Sequence, residues 1–242
     1  MILIPKIIHY VWVGHNPKPK AVKLCIKTWK KHLQGYKIIE WNEDNFDIHQ
    51  NKYLEQAYKA KKWAFVSDYI RAKVIYEYGG IYLDTDINLL DNFDRFLSNE
   101  CFVGFETKNL PFTAVFGSIP HHPLIKQMLD YYDDHEFHFG RNGELAITNT
   151  VSVSNILIND YKCELNNKEQ LLKNNVRIYP NYILCIPSKE SVSIHVFLGS
   201  WTAFGKNWKL QLMTWARLHI RNRTEAQIYN WIMKLCNKEI LY

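Results

Sequence analysis

The sequence predicts an α/β domain with a helical C-terminal extension, and three observations carry that prediction. Lys6 to Val13 is a nearly continuous β-branched and aromatic run ended by Gly14, the pattern of a strand buried on both faces. Val22, Ile26, Trp29 and Leu33 then recur at helical spacing before a second strand-like run, Tyr36 to Trp41. A strand, helix, strand order implies a right-handed crossover and a parallel pair. At the far end, Leu212, Trp215 and Leu218, then Ile228, Trp231, Ile232 and Leu235, mark two amphipathic helices.

Between these ends the elements follow in order. Asn16 to Pro19 reads as a loop, and Asn42 to Asn51 as a polar loop with a helical turn. Tyr53 to Lys62 and Trp63 to Tyr78 are helical, the second closed by Gly79 and Gly80 as a left-handed cap. Ile81 to Leu83 is a short apolar strand ending on Asp84 and Asp86. Cys101 to Phe105 and Thr113 to Ser118 read as strands, and Pro123 starts a helix through Tyr132. Glu144 to Ile158 is expected to be helical despite β-branched Thr148 to Val153, with a polar connection from Asn159 to Asn175. Val176 to Pro187 is expected to hold short strands, and Val192 to Phe197 a last strand running into Gly199, Ser200 and Trp201. The main domain is expected over residues 1–205 and the helical extension over 206–242.

Composition narrows the class. The 242 residues are 47% apolar, 14% aromatic and 22% charged, ordinary for a globular protein. The net charge of +6 is mild, and no motif that reads DNA or RNA accompanies it, so no nucleic-acid partner is expected. Five scattered cysteines without a CxxC pair fit neither a disulfide framework nor a zinc knuckle. They predict reduced thiols in a cytoplasmic protein. The start of the chain lacks a charged leader and carries Pro5 inside its apolar run, which argues against a signal peptide.

The chemistry concentrates in Ser67 to Asp86. Asp68 and Arg71 are i and i+3 on one helix face. Asp84 and Asp86, read as the end of a strand, would project from one side of the sheet. Two such like charges repel unless a cation lies between them, so the pattern asks for a metal. A bare D-x-D is common in turns, but the preceding buried strand, Gly pair and charged helix raise its weight, and strand carboxyl ends are where α/β sheets bind ligands. Hard oxygens suit Mg²⁺ or Mn²⁺, whose natural company is a diphosphate. His195, on a late apolar strand, reads either as a core histidine or as a nitrogen ligand from the far side, the latter favouring Mn²⁺. Trp12 reads as core or as an apolar wall for a base.

Three blocks, IPKIIHYVWVG, SDYIRAKVIYEYGGIYLDTD and IHVFLGSW, resemble in content and order the bacterial glycosyltransferases of family 32, the DXD sugar-binding group. That group includes capsule and lipopolysaccharide enzymes and is related to yeast Golgi mannosyltransferases and clostridial glucosylating toxins. The resemblance implies a GT-A fold, a Rossmann-like mixed β-sheet flanked by helices, that binds a nucleotide-sugar with Mn²⁺ and transfers with retention. Carried over by motif, Trp12 would stack on the base, and Ser67, Asp68 and Arg71 would hold ribose and sugar. Tyr82 and Asp84 would touch ribose and sugar, Asp86 would bind the metal with His195, and Ser200 and Trp201 would contact the diphosphate. Asn149, a looser match, would fall where relatives place an acceptor-side or sugar-binding polar residue. Val196 stands where relatives often have a second histidine, and the toxins' insertions are lacking, so their protein acceptors are not carried over.

The implied enzyme is a hexosyltransferase moving a UDP-linked sugar to a glycan or lipid-linked glycan in surface polysaccharide synthesis. Asp68 and Arg71 are expected to read sugar rather than to pair with each other, and no carboxylate stands out as a covalent nucleophile. Alternatives are a nucleotidyltransferase or nucleotide-sugar hydrolase using the same pocket, or an inactive nucleotide-sugar-binding scaffold. For the basic, aromatic C-terminal helices, packing on the domain competes with peripheral contact at the inner face of a cytoplasmic membrane.

Overall fold

The structure, a computed structural model, describes residues 3–137, 148–199 and 208–235. In chain order the elements are β1 (Ile7–Val11), α1 (Lys20–His32), β2 (Lys37–Trp41), α2 (Lys52–Lys59), α3 (Trp63–Tyr78), β3 (Gly80–Leu83) and β4 (Ile87–Leu89). There follow β5 (Cys101–Gly104), β6 (Val115–Ser118), α4 (Pro123–Asp134), α5 (Asn149–Asn159), β7 (Gln170–Leu171) and β8 (Val176–Tyr179). The last are α6 (Asn181–Leu184), β9 (Ser193–His195), α7 (Trp208–His219) and α8 (Arg223–Leu235).

Seven strands form one mixed sheet in the order β2-β1-β3-β6-β5-β8-β7. The expected crossover is present: β1 runs parallel to β2, with Ile8 level with Ile38, and parallel to β3, with His9 level with Tyr82. Both β3 and β5 pair antiparallel with β6, so β3 and β5 run the same way. Their carboxyl ends therefore share an edge with that of β1. One face of the sheet is covered by α2, α3, α4 and α5 over a core that includes Val66, Ile70, Leu124 and Leu157. The other is covered by α1, α6 and the β4 segment over Trp29, Ile87, Phe93 and Leu184.

The two faces explain why α3 has almost no amphipathic stripe. It lies in the middle of its layer and buries Phe65, Val66, Ile70, Ala72 and Val74 together with Asp68 and Arg71. It ends at Gly79 (φ +63) and Gly80 (φ +101), both in the left-handed region. A Cβ on Gly80 would lie 2.6 Å from the Ile7 carbonyl oxygen and 2.9 Å from His9 Nε2. The glycine thus lets β3 enter directly beside β1. Buried His9 accepts from Trp41 Nε1 at its Nδ1 (3.0 Å), which leaves Nε2–H to donate to the Gly79 carbonyl (2.9 Å). Burial pushes the His9 pKa down to about 4, consistent with that neutral tautomer.

Several sequence expectations need correction. Asp84 and Asp86 lie not on a strand but on the turn between β3 and β4, closed by the Ile87 N–H on the Asp84 carbonyl (3.1 Å). The strand after that turn was not expected, because three residues are too few to show a period. The last strand is shorter than Val192 to Phe197 and leaves the main sheet: β9 pairs antiparallel with β4, with Ile87 level with His195. Asn181–Leu184 is a helical turn after Pro180 rather than a strand, and Gln170–Leu171 pairs with β8 inside the supposed polar connection. Helix α5 begins at Asn149, and the earlier part of its expected range, residues 144–147, lies outside the described residues. The described cysteines, Cys25, Cys101, Cys163 and Cys185, are free and buried.

Candidate active site

At the carboxyl ends of β1, β3 and β5 the chain gathers most of the expected residues. Trp12 follows β1, and Asp84 follows β3 with its N–H on the Ala114 carbonyl (3.0 Å). Trp12 donates its indole N–H to the Asn16 carbonyl (2.7 Å) and lies under Lys18, whose Nζ is 5.6 Å from a ring centroid. The side chain is half-buried, with its ring held by a loop bond.

From α3, Arg71 reaches the same edge. Its Nη2 is 2.9 Å from Asp68 Oδ1 and 3.2 Å from Asp84 Oδ1, and its guanidinium lies over the Tyr82 ring at 4.6 Å. The Ser67 hydroxyl accepts from Arg71 Nη2 (2.9 Å), and the Tyr82 hydroxyl donates to Asp84 Oδ1 (3.0 Å). The expectation that Asp68 and Arg71 do not pair is therefore wrong for this structure. Their i, i+3 spacing on a buried helix face leaves each the other's nearest opposite charge.

The two partners feel the pair differently. Burial pushes the Asp68 carboxyl up to about 6, with Arg71 working against that and Asp84 adding to it. Burial also opposes the Arg71 charge, but Asp84, Tyr82 and Asp68 together raise its pKa, so it stays protonated. The arginine lies between two carboxylates, whereas Asp68 shares its one cation with Asp84. Both Asp68 oxygens are buried without a properly aligned hydrogen bond among the described residues, and so is Asn149 Oδ1. Asn149 opens α5, donates Nδ2 to the Tyr132 hydroxyl (2.8 Å) and turns its backbone N–H toward Asp68, which lowers that carboxyl's pKa. Thus the loosely matched Asn149 does join Asp68.

A second group stands beside the first. Asp84, Asp86 and His195 each offer one ligand atom, all within 4.8 Å of one another. His195 Nε2 is 3.3 Å from Asp86 Oδ1, while Asp86 Oδ2 accepts the Leu198 N–H (3.0 Å) and its carbonyl accepts the Val196 N–H (3.0 Å). Burial opposes both charges, yet each sustains the other: the His195 pKa stands well above 6.5 and that of Asp86 below the usual carboxylate range. Two carboxylates with one imidazole form a donor set suited to a divalent ion of the Mn²⁺ or Mg²⁺ kind. His195 Nδ1, buried and without a hydrogen-bond partner among the described residues, faces Glu106 Oε2 at 3.8 Å. These residues fit a metal.

Glu106 escaped the sequence reading. It stands two residues past β5, and burial, aided by Asp84 and Asp86 against His195, raises its pKa. The rule that favoured Asp84, ligands beyond strand carboxyl ends, would have found it had the direction of β5 been legible. Arg217 of α7 was also missed. Buried, it donates Nη1 to the His195 carbonyl (3.3 Å) and lies over Phe197 at 5.1 Å, while Asn88 of β4 donates to the Arg217 and Ile220 carbonyls. Ser200 and Trp201 lie outside the described residues.

Residues 19–103 match the family model described as the glycosyltransferase sugar-binding region containing DXD motif, a stretch that includes α3, the Gly pair and both site aspartates. More particularly, the chain is 33% identical over 133 residues to the uncharacterized glycosyltransferase L373 of Acanthamoeba polyphaga mimivirus, covering 50% of this chain and 53% of that one. It is 30% identical over 108 residues to the human alpha-1,4-N-acetylglucosaminyltransferase, covering 44% and 27%. It is 24% identical over 137 residues to inositol phosphoceramide mannosyltransferase 1 of Schizosaccharomyces pombe, covering 52% and 42%. The chain spans about half or less of the length of these relatives. Among solved structures, the apo-form glycosyltransferase GlyE of Streptococcus pneumoniae TIGR4 aligns at a TM-score of 0.49 and 11% identity, over 96% of this chain and 64% of that one. The family match and the relatives support the DXD glycosyltransferase resemblance of the central block.

Proposed function

We propose that this chain is a metal-dependent, retaining GT-A glycosyltransferase that moves a hexose from a UDP-linked donor to a glycan or lipid-linked glycan. The observation that carries the reading is a pair of adjoining features: Asp68 Oδ2 and Asn149 Oδ1, buried without a properly aligned hydrogen bond among the described residues, beside the Asp84, Asp86 and His195 donor set. Native interiors rarely leave such atoms unpaired, so a polar ligand is the economical explanation. The match over residues 19–103 supports a sugar ligand. A role in capsule or lipopolysaccharide synthesis rests on the motif resemblance to bacterial enzymes of that kind.

Asp86 and His195, with Asp84, would hold Mn²⁺ or, second, Mg²⁺. A bound divalent ion supplies Lewis-acid neutralisation of charge on the departing diphosphate. Asp68 accepts hydrogen bonds from sugar hydroxyls, and Arg71, wedged between Asp68 and Asp84, holds the two side chains in position. Trp12 offers its ring to the base, while Ser200 and Trp201 would add donors to the leaving phosphate. The acceptor oxygen bonds to the anomeric carbon on the face from which the phosphate oxygen leaves, and the acceptor proton passes to that phosphate. Trapping a covalent sugar adduct on any side chain would refute this front-face route.

A thermal-shift screen of nucleotide-sugars with and without Mn²⁺ tests the whole reading. A UDP-sugar should raise the melting temperature in the presence of Mn²⁺ and far less without it, because only a ligand of the folded state stabilises by mass action. No shift with any nucleotide-sugar would sink the proposal.

A further inference from the structure

Helices α7 and α8 are held to the domain from one side. Ile220 and Ala226 pack with Leu90 and Ile194, and Arg223 Nη2 reaches Asp91 Oδ2 at 2.7 Å. Their other side is apolar and exposed. Trp208, Leu212 and Trp215 recur at i, i+4, i+7 along α7, and Ile228, Trp231 and Leu235 at i, i+3, i+7 along α8, each between 52% and 66% exposed. Exposed apolar side chains recurring along one face of each helix mark an interaction surface.

Its charge says which kind. Of the five Lys and Arg residues over 208–235, Arg217 is buried and Arg223 pairs with Asp91, which leaves exposed Lys209, Arg221 and Lys234 against the single carboxylate of Glu225. Helix α1, which packs beside α7, adds five lysines and no carboxylate, and none of the five is ion-paired among the described residues. Lys23, Lys27 and Lys30 share one face of α1 and line an open depression together with the Lys18–Glu40 ion pair. A symmetric contact with a second copy would set positive surfaces against one another. No described helix is long and apolar enough to cross a bilayer. Tryptophans flanked by basic residues on helices of this length instead suit the headgroup region of an anionic leaflet.

We infer that the exposed faces of α7 and α8, assisted by the lysines of α1, dock this chain on the surface of an anionic lipid bilayer. The inference goes beyond the transferase reading, because docking is measured without donor, metal or turnover and can fail or succeed alone. The test is co-sedimentation of the full chain with vesicles of phosphatidylcholine alone or mixed with phosphatidylglycerol. Wild type should pellet with the mixed vesicles only, and Trp215→Ser with Trp231→Ser should lower partitioning about tenfold at an unchanged melting temperature. Should that variant melt early, quenching of wild-type tryptophan fluorescence by brominated phosphatidylglycerol decides: quenching supports docking, and unquenched fluorescence overturns it. Wild type staying in the supernatant with both compositions overturns the inference. So does equal pelleting of the double variant, or a dimer that the double variant abolishes.

Discussion

His195 Nε2 lies 3.3 Å from Asp86 Oδ1, an ion pair that ties the end of β9 to the turn after β3. The imidazolium sits against Asp86, one of the carboxylates that would hold a divalent ion. Folding of the metal-free protein should therefore depend on pH through this pair. The His195 pKa is raised above 6.5, so its contribution is full below that value and lost as pH rises through the raised pKa. The Asp86 pKa is lowered below 3.8, so its contribution is full above that value and lost as pH falls through the lowered one. Thermal melts in chelator should show His195→Gln costing about 2 kcal/mol near pH 6, with a smaller cost in strong alkali. Equal melting of the two proteins at every pH would contradict this.

Asp68 carries the opposite sign. Its pKa is raised from 3.8 to about 6 by burial, so the protonated form is favoured in the fold and stability is lost as pH rises through that value. Asp68→Asn should remove that loss and stabilise the free protein at pH 7 by on the order of 2 kcal/mol, because Arg71 keeps Asp84. The same variant should lose nucleotide-sugar binding, read in the Mn²⁺ thermal-shift screen. Unchanged donor affinity would remove Asp68 from the site.

Glu106 Oε2 faces His195 Nδ1 while Nε2 faces Asp86. A carboxylate behind a ligand histidine fixes its orientation and raises its basicity. Glu106→Gln should weaken Mn²⁺ binding, measured by calorimetry, about 10- to 100-fold while the metal-free melting temperature holds. Glu106→Asp should recover part of the loss.

Gly80 tests the packing of β3 on β1. With φ at +101 and a Cβ position 2.6 Å from the Ile7 carbonyl oxygen, Gly80→Ala meets both strain and overlap. The expected cost is roughly 2–3 kcal/mol in urea unfolding. Gly35→Ala, where φ is +82 but no atom lies within 4 Å, should cost less.

Much of the central site was legible because it is local. The helix from Trp63 to Tyr78, its Gly pair and the following strand occupy consecutive residues, and their periods, cap and carboxylates are written in that order. Even there, the i, i+3 spacing of Asp68 and Arg71 placed them on one face without saying whether they meet each other or a ligand. The answer came from burial, which leaves Arg71 between Asp68 and Asp84.

By itself the sequence determined the α/β class, the β1-α1-β2 crossover, the bounds of α3 and the D-x-D neighbourhood, since each depends on neighbours along the chain. Only the tertiary structure decided that Asp84 and Asp86 sit on a turn, that His195 arrives on a separate ribbon paired with β4, and that Glu106 and Arg217 stand behind it. Those relationships depend on strand direction and on which face a short segment covers. A three-residue strand has too few residues to display a period, and its partner is chosen by the packing of the whole domain.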